Sequence, residues 1–424
     1  MCTLPKGQTQ IDSLISFFLK DIMKEYDIAV IGGGPAGMMA AIAAGKTSKV
    51  ILLEKNPDLG SKLLLTGGGR CNITNNKPIK KLLNSFDNKN FLKHSFFTLT
   101  NEKLLSIFED RGLGFIEEDD NRIFPDTEKS SDVLKVLKDC LDDVVISYNY
   151  EVKSIRDNFI INDEIKADRI IIATGGVTYP QTGCSPNNYF LTSQPITDIK
   201  YGLVPLITKK DLSDIAGITL YDVAVGYKKI KVKGNVLISH VGLTGPGIIN
   251  LSNEISKDLS YDILESKEVE FDERIAIDLC PDFTHDELKE KFTKDFQDKG
   301  KTMVKNYLKM FLTNSFIDFF LDEINLDGET QLSRINKKSK NRLIENLKSF
   351  PFEVVSFNDR LAKVTIGGVD LSNINPKTME STSIPNLYFA GEILDLHGPT
   401  GGYNLKIAFS TGYLAGLSAC EKRF

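Results

Sequence analysis

Residues 26–54 read YDIAVIGGGPAGMMAAIAAGKTSKVILLE, and the fold follows from how this stretch divides. Tyr26-Asp-Ile-Ala-Val-Ile31 is a short β-branched run of the kind buried in a parallel sheet. It runs straight into Gly32-x-Gly34-x-x-Gly37, with Pro35 and Ala36 between the last two glycines, and then into an alanine-rich helical segment. A second apolar run, Val50 to Leu53, ends in Glu54, 22 positions beyond Gly32. Strand, glycine turn, helix and strand make a βαβ unit. An acidic residue about 20 positions after the first glycine is the one that meets a ribose hydroxyl in dinucleotide-binding units. The glycines permit a tight turn and close backbone approach, and the helix N-terminus offers N–H groups and the positive end of its dipole to a pyrophosphate. A glycine-rich turn without a ligand is the alternative, and Glu54 in its place argues against it. The chain is therefore expected to be α/β, built on a Rossmann-like domain.

The chain's 424 residues suggest two or three domains. It is 41% hydrophobic and 26% charged, enough apolar material for a core. A formal net charge of −5 with no Lys/Arg block argues against a nucleic-acid partner, and no apolar run is long enough to span a bilayer. The six cysteines are scattered without a CxxC pair, which points to no metal site, no dithiol centre and a cytoplasmic location. Residues 1–22 precede the first strand, carry no motif, and are expected to be a dispensable N-terminal extension.

Farther along, ADRIIIATGG (167–176) is another strand ending at paired glycines. Short Val/Ile/Gly runs fill about 200–250, and residues 283–350 are charge-dense with apolar residues at helical spacing. From Val364 the strand-and-glycine composition returns: VTIGGVDLS, IPNLYFAGEILD and HGPTGGYNLKIAFSTGYLAG.

Taken with GSKLLLTGGGRCNITN (60–75), IIATGGVTYPQTG, GLVPL and HVGLTGPGIINLS, these blocks resemble a bacterial flavoprotein family, the aminoacetone oxidase-like and BaiN-type FAD enzymes. The matches run in order from about Tyr26 to Gly416. TGGGRCN and TGGYN are specific; FAGE is shared by many FAD proteins. The resemblance implies a discontinuous FAD-binding domain (23–190 and 360–424), a β-rich subdomain (191–250 and 345–359) and a helical insertion (251–344). It implies noncovalent FAD on Gly32, Gly34, Pro35, Ala36, Gly37, Glu54, Lys55 and Lys62. Gly67, Gly68 and Gly69 would bring backbone amides to the flavin, with Arg70 and Asn72 as donors. Val152 would read the adenine through its backbone, and Thr174 and Gly175 would close over the adenosine half. Gly391, Glu392 and Asp395 would serve the pyrophosphate and ribityl, and Gly401, Gly402, Tyr403 and Asn404 the flavin edge.

Two departures from the family pattern stand out. Cys184-Ser185-Pro186-Asn187-Asn188 stands in place of the family's usual glycine-acid-glycine turn, and His397 stands where relatives more often carry an acidic residue. His397 is a candidate acid/base group or a solvated loop residue, so the catalytic residues stay unassigned. A bulky residue at Gly402 is expected to weaken FAD binding while the fold survives.

The expected activity is hydride transfer between bound flavin and a small organic substrate, either amino ketone oxidation or reduction of an enone-type C=C. With one dinucleotide fingerprint, NAD(P)H is expected only as a transient electron donor. The alternative is an FAD-binding redox sensor or RNA-associated flavoprotein without turnover.

Overall fold

The computed structural model describes residues 23–266 and 269–421; residues 1–22, and the expectation attached to them, lie outside the described residues. The chain forms two compact units, one from the described residues up to 197 together with those from 367, the other from 198–366.

The first unit is organised by five parallel strands: β1 (Lys24–Ile31), β2 (Val50–Leu53), β3 (Val144–Ser147), β4 (Ile165–Ile172) and β5 (Leu387–Phe389). Their spatial order is β3-β2-β1-β4-β5. The order reverses between β1 and β4, the switch point where open α/β sheets bind their ligands. Ile28–Ile31, all of β2 and Ile170–Ile172 are buried. Strands covered on both faces need such continuous apolar runs rather than alternation.

Helix α1 (Pro35–Gly45) is buried along Ala36–Ala44 because it also lies against α4 (Tyr403–Cys420), the long C-terminal helix. Small residues let the two axes approach. A Cβ at Gly412 would stand 2.2 Å from the Ala36 carbonyl oxygen, and one at Gly416 2.3 Å from that of Ala40. Two further helices, α2 (Ile79–Leu83) and α3 (Lys89–Thr98), and a small sheet of Thr74–Asn75, Arg122–Pro125 and Phe115–Glu118 complete the neighbourhood of the glycine loops.

The second unit is an eight-stranded antiparallel sheet with helices, among them Pro246–Asp258 and Lys337–Lys348. Strand Glu270–Asp278 falls inside the stretch read as helical and pairs along Phe350–Phe357. Its Phe271, Ile275 and Ile277 share one face at a period of two, a signal diluted by the charges between them. The first unit extends to 197 rather than 190 because Ile196 bridges Val369 and the Thr197 amide donates to Gly368 O at 2.9 Å. It resumes at 367 rather than 360 because Val364–Ile366 pairs with Lys200–Gly202 inside the second unit. Among the described residues no helix is long and apolar enough to cross a membrane.

Candidate functional site

Four parallel strands end at one edge of the first unit's sheet, and each delivers a residue singled out above. β1 ends at Gly32 (φ +103°), whose missing Cβ leaves room for Ala173 O, 2.5 Å from where it would stand. Gly37 is tighter still, with Gly32 O 1.8 Å from its Cβ position, so this glycine is required by helix–strand packing. Gly34 differs from both. A Cβ there would meet nothing within 4 Å, and Gly34 is the N-cap of α1, with no side chain capping the helix and Pro35 following. The middle glycine thus opens a concavity onto the bare positive end of a helix. This arrangement fits a dinucleotide's phosphates.

β2 ends at Glu54, a buried carboxylate accepting from Gly33 N (2.7 Å) and Asn56 N (2.8 Å). Tyr150 N donates to Glu54 O at 2.9 Å and Asn149 N to Asn56 O at 3.1 Å, which brings the loop carrying Val152 alongside. Asn162 braces that loop through Lys153 N, Ser154 N and Glu151 O. β4 ends at Thr174 and Gly175 (φ +75°), where the buried Thr174 hydroxyl has no hydrogen-bond partner among the described residues. An orphaned hydroxyl beside the Gly32 turn also fits a ligand, since buried polar groups are ordinarily paired. Lys55 lies half-buried with its stem under the turn at Gly183.

β5 leads into Gly391 and Glu392. The Gly391 amide donates to Thr411 Oγ1 (2.9 Å), and a Cβ at Gly391 would press on Ala36 at 2.7 Å, which fixes this loop to the start of α1. Glu392 pairs with Lys62 at 2.6 Å, and Lys62 also donates to Thr178 Oγ1 at 2.8 Å. Burial alone would lower the Lys62 ammonium, but the Glu392 carboxylate beside it holds it above its ordinary value, so the ammonium stays charged. Burial pushes the Cys184 thiol up, which keeps it protonated despite the nearby lysine.

The loop 66–72 combines three left-handed glycines, Gly67 (φ +58°), Gly68 (+69°) and Gly69 (+92°). Gly67 is packed, with Asn72 N 2.9 Å from its Cβ position, whereas Cβ atoms at Gly68 and Gly69 would meet nothing within 4 Å. Arg70 stacks 4.2 Å over Phe124 and donates through one terminal nitrogen to Glu118 of the small sheet and to Glu128 beyond it, while its buried Nε has no partner among the described residues. Three side chains anticipated at the cofactor serve as clamps. In the amide orientation its neighbours require, Asn72 accepts from Gly402 N (3.1 Å) and donates to Thr74 O (3.0 Å) and Ile123 O (3.2 Å). Asn404 accepts from Gly398 N (2.8 Å) and donates to Gly398 O and Pro399 O. Tyr403 is buried edge-on to Phe86, its hydroxyl bonded to Lys77 Nζ at 3.0 Å.

Gly402 is not an open glycine. With φ +91° and Thr74 C and O 2.4 Å from its Cβ position, it closes the seam between the two loops, and valine there would break the fold locally before reaching a ligand. Gly401 packs by its own α-hydrogens over the Tyr403 ring, 3.3 Å from where its Cβ would stand. Asp395 is half-buried, its carbonyl accepting from Asn88 Nδ2 at 3.1 Å, and His397 lies half-buried in the same loop.

Lys406 escaped the sequence reading. It is fully buried in the first turns of α4, and its amine donates to Leu99 O (2.6 Å), the C-cap residue of α3. A lysine amid KIAF looks like a solvated helix position; only the packing of α4 on α3 buries it. Burial pushes it down to about 7, against a smaller opposing pull from Glu102. Between about pH 7 and the ordinary 10.5 the unfolded chain then holds a proton that the folded chain lacks. Stability should therefore rise with pH across that window, by up to roughly 1.4 kcal/mol per unit. Urea melts at about pH 7 and pH 9 should show the rise in the unaltered protein and a flatter profile in Lys406→Met; an equal rise in both would assign it to another group.

The switch-point crevice, the glycine turn opening on a bare helix end, and the buried Glu54 define a Rossmann-type flavin-dependent oxidoreductase. The chain belongs to the HI0933-like family, whose Rossmann-domain model matches residues 26–418. It is 28% identical to a ribosomal RNA dihydrouridine synthase of Haemophilus influenzae, over 92% of this chain and 97% of that protein. It is also 28% identical to a 3-dehydro-bile acid delta(4,6)-reductase of Clostridium scindens, over 93% and 99%. Among solved structures, a 3-ketosteroid-delta4-(5alpha)-dehydrogenase of Rhodococcus jostii RHA1 overlaps 94% of this chain and 97% of its own, at 14% identity and a TM-score of 0.43.

Proposed function

We propose that the protein reduces a carbon–carbon double bond conjugated to a carbonyl. The open Gly34 at the uncapped start of α1, with Glu54 beside it, carries the cofactor part of this reading: the helix end takes the pyrophosphate and Glu54 the ribose hydroxyls. FAD, when bound, supplies the hydride. Lys62, kept cationic against Glu392, adds positive charge to the same strand edge, and Gly68 and Gly69 leave a surface without side chains on which a flat group can lie. The clamps Asn72, Tyr403 and Asn404 hold the 66–72 and 398–404 loops in register, so that this surface is preformed.

The reaction class is supported by the names of the two relatives. Making dihydrouridine saturates the C5–C6 bond of uracil, next to its C4 carbonyl, and a delta(4,6)-reductase acting on a 3-dehydro compound saturates a double bond conjugated to a ketone. The shared chemistry is addition of hydride and a proton across an activated C=C. Electrons enter from a reduced nicotinamide that visits the flavin.

The test is an anaerobic titration followed at the flavin absorbance. NADPH should bleach the yellow protein, and a 4,6-dien-3-one steroid or a uridine-containing RNA should restore the colour without oxygen. Recovery with oxygen alone sinks the proposal, and bleaching by aminoacetone would instead support amino ketone oxidation.

A further inference from the structure

The chain's overall acidity conceals a local reversal. Between Asp58 and Glu102 Asp87 is the sole carboxylate, against seven lysines and arginines, in a chain of formal net charge −5. Lys62 and Arg70 are committed to carboxylates, and Lys77 to the Tyr403 hydroxyl. The other four, Lys80 and Lys81 on α2 and Lys89 and Lys93 on α3, are exposed, and among the described residues none of them makes an ion pair with a side chain. Lys89, Lys93 and Phe97 succeed one another at four-residue spacing, which places them in one row along α3. Phe97 is 47% exposed, an aromatic ring kept in solvent at the end of the lysine row.

This face is fixed to the candidate site. Asn88 Nδ2 holds Asp395 O at 3.1 Å, the Phe86 ring lies 5.7 Å from that of Tyr403, and Lys406 holds Leu99 O at 2.6 Å. The helices bearing the lysines are thus built onto the loop and helix start that bound the glycine surface. Exposed lysines on two consecutive helices, with an exposed ring in the Lys89–Lys93 row, match what a single-stranded nucleic acid requires, a cationic track for phosphates and a platform for a base.

We propose that the exposed face of α2 and α3 seats the backbone of a single-stranded RNA segment, through Lys80, Lys81, Lys89 and Lys93 with Phe97 stacking a base, beside the site that reduces a uracil-type ring. The inference rests on the reaction proposed above and names the carrier of the reducible base. It reverses the expectation drawn from net charge, because a phosphate chain responds to the local field within about a Debye length, roughly 10 Å, and not to the charge of the whole chain.

Fluorescence anisotropy of a labelled 12-residue oligouridine with the full-length protein, over a potassium chloride series, tests it. The expected result is binding that weakens steeply with salt, at about 0.7 logarithmic units per phosphate contact on a single strand. The triple variant Lys80→Gln/Lys81→Gln/Lys93→Gln should bind at least about tenfold more weakly, with a slope shallower by about 2. Phe97→Ala should bind about tenfold more weakly at an unchanged slope. Lys231→Gln/Lys233→Gln, on the sheet-edge strand Ile230–Lys233 where lysines discourage strand pairing, should change neither.

The proposal is overturned if the triple variant binds like the unaltered protein or if the edge-strand pair weakens binding equally. It is also overturned if the triple variant loses affinity for phosphatidylglycerol vesicles while oligouridine is not bound at all, which would make the face a membrane contact. Anaerobic reoxidation of the NADPH-reduced flavin is a separate readout: recovery with neither the dienone nor the RNA sinks the proposed reaction, while the anisotropy still decides RNA contact.

Discussion

Gly37→Ala should yield no folded protein, whereas Gly34→Ala, three residues away in the same turn, should fold and lose its grip on flavin. At Gly37 a methyl carbon would stand 1.8 Å from Gly32 O, an overlap between two backbone segments that no rotamer change relieves. Separating α1 from β1 to admit it would also disturb the packing of α4. The cost should exceed the ~4–5 kcal/mol that marks exceptional substitutions, close to the whole stability of a typical domain, roughly 5–15 kcal/mol. At Gly34 the backbone is ordinary, φ −76°, and the methyl would enter open space. Losing a glycine N-cap to alanine costs about 1 kcal/mol or less, so thermal unfolding should be nearly unchanged while FAD dissociates at least about tenfold more readily. Circular dichroism and flavin release on dilution separate the two outcomes. If Gly34→Ala retains FAD as tightly as the unaltered protein, the concavity at α1 is not the phosphate seat.

The second large effect is expected at Glu54. Its carboxylate is the acceptor for both the Gly33 and Asn56 amides, at 2.7 and 2.8 Å, so Glu54→Ala strands two N–H groups where water has little access. A buried donor left unpaired costs about 1–3 kcal/mol. The flavin-free protein should therefore lose about 3 kcal/mol, read from urea melts. If the same carboxylate also receives the ribose hydroxyls, the FAD dissociation constant should rise about 100-fold, since charge-assisted hydrogen bonds contribute roughly 1.5–3 kcal/mol each. Glu54→Gln, which keeps one acceptor oxygen, should fall between. A stability loss without a change in FAD affinity would show that Glu54 shapes the turn and does not meet the ribose.

Much of the first unit was legible in the sequence because its signals are local. Buried parallel strands demand continuous apolar runs, so Ile28–Ile31, Val50–Leu53 and Ile170–Ile172 announce themselves in a window of a few residues. The fingerprint Gly32-x-Gly34-x-x-Gly37 with Glu54 is likewise a matter of spacing within one βαβ unit. Glu270–Asp278 was missed because its period-two pattern is short and interrupted by charge, and what makes it a strand is Phe350–Phe357, far along the chain.

Spacing along the chain says where glycines must stand; what each one makes room for is set by the packing of the folded chain. Gly34, Gly37 and Gly402 are indistinguishable as letters. One opens to solvent, one admits Gly32 O, and one admits the backbone of Thr74, which arrives from a different part of the chain. The same holds for side chains. Arg70, Asn72, Tyr403 and Asn404 stand in the blocks that suggest a cofactor, yet their hydrogen bonds go to Glu118, Thr74, Lys77 and Gly398. Lys62 meets Glu392 across 330 residues of sequence, and Lys406 meets Leu99 across 307. Backbone conformation and hydrophobic period are set by neighbours along the chain and can be read from it. The direction of a polar side chain is set by whichever donor or acceptor the crossing segments bring within about 3 Å, and that is decided only when the sheet and its helices have closed on one another.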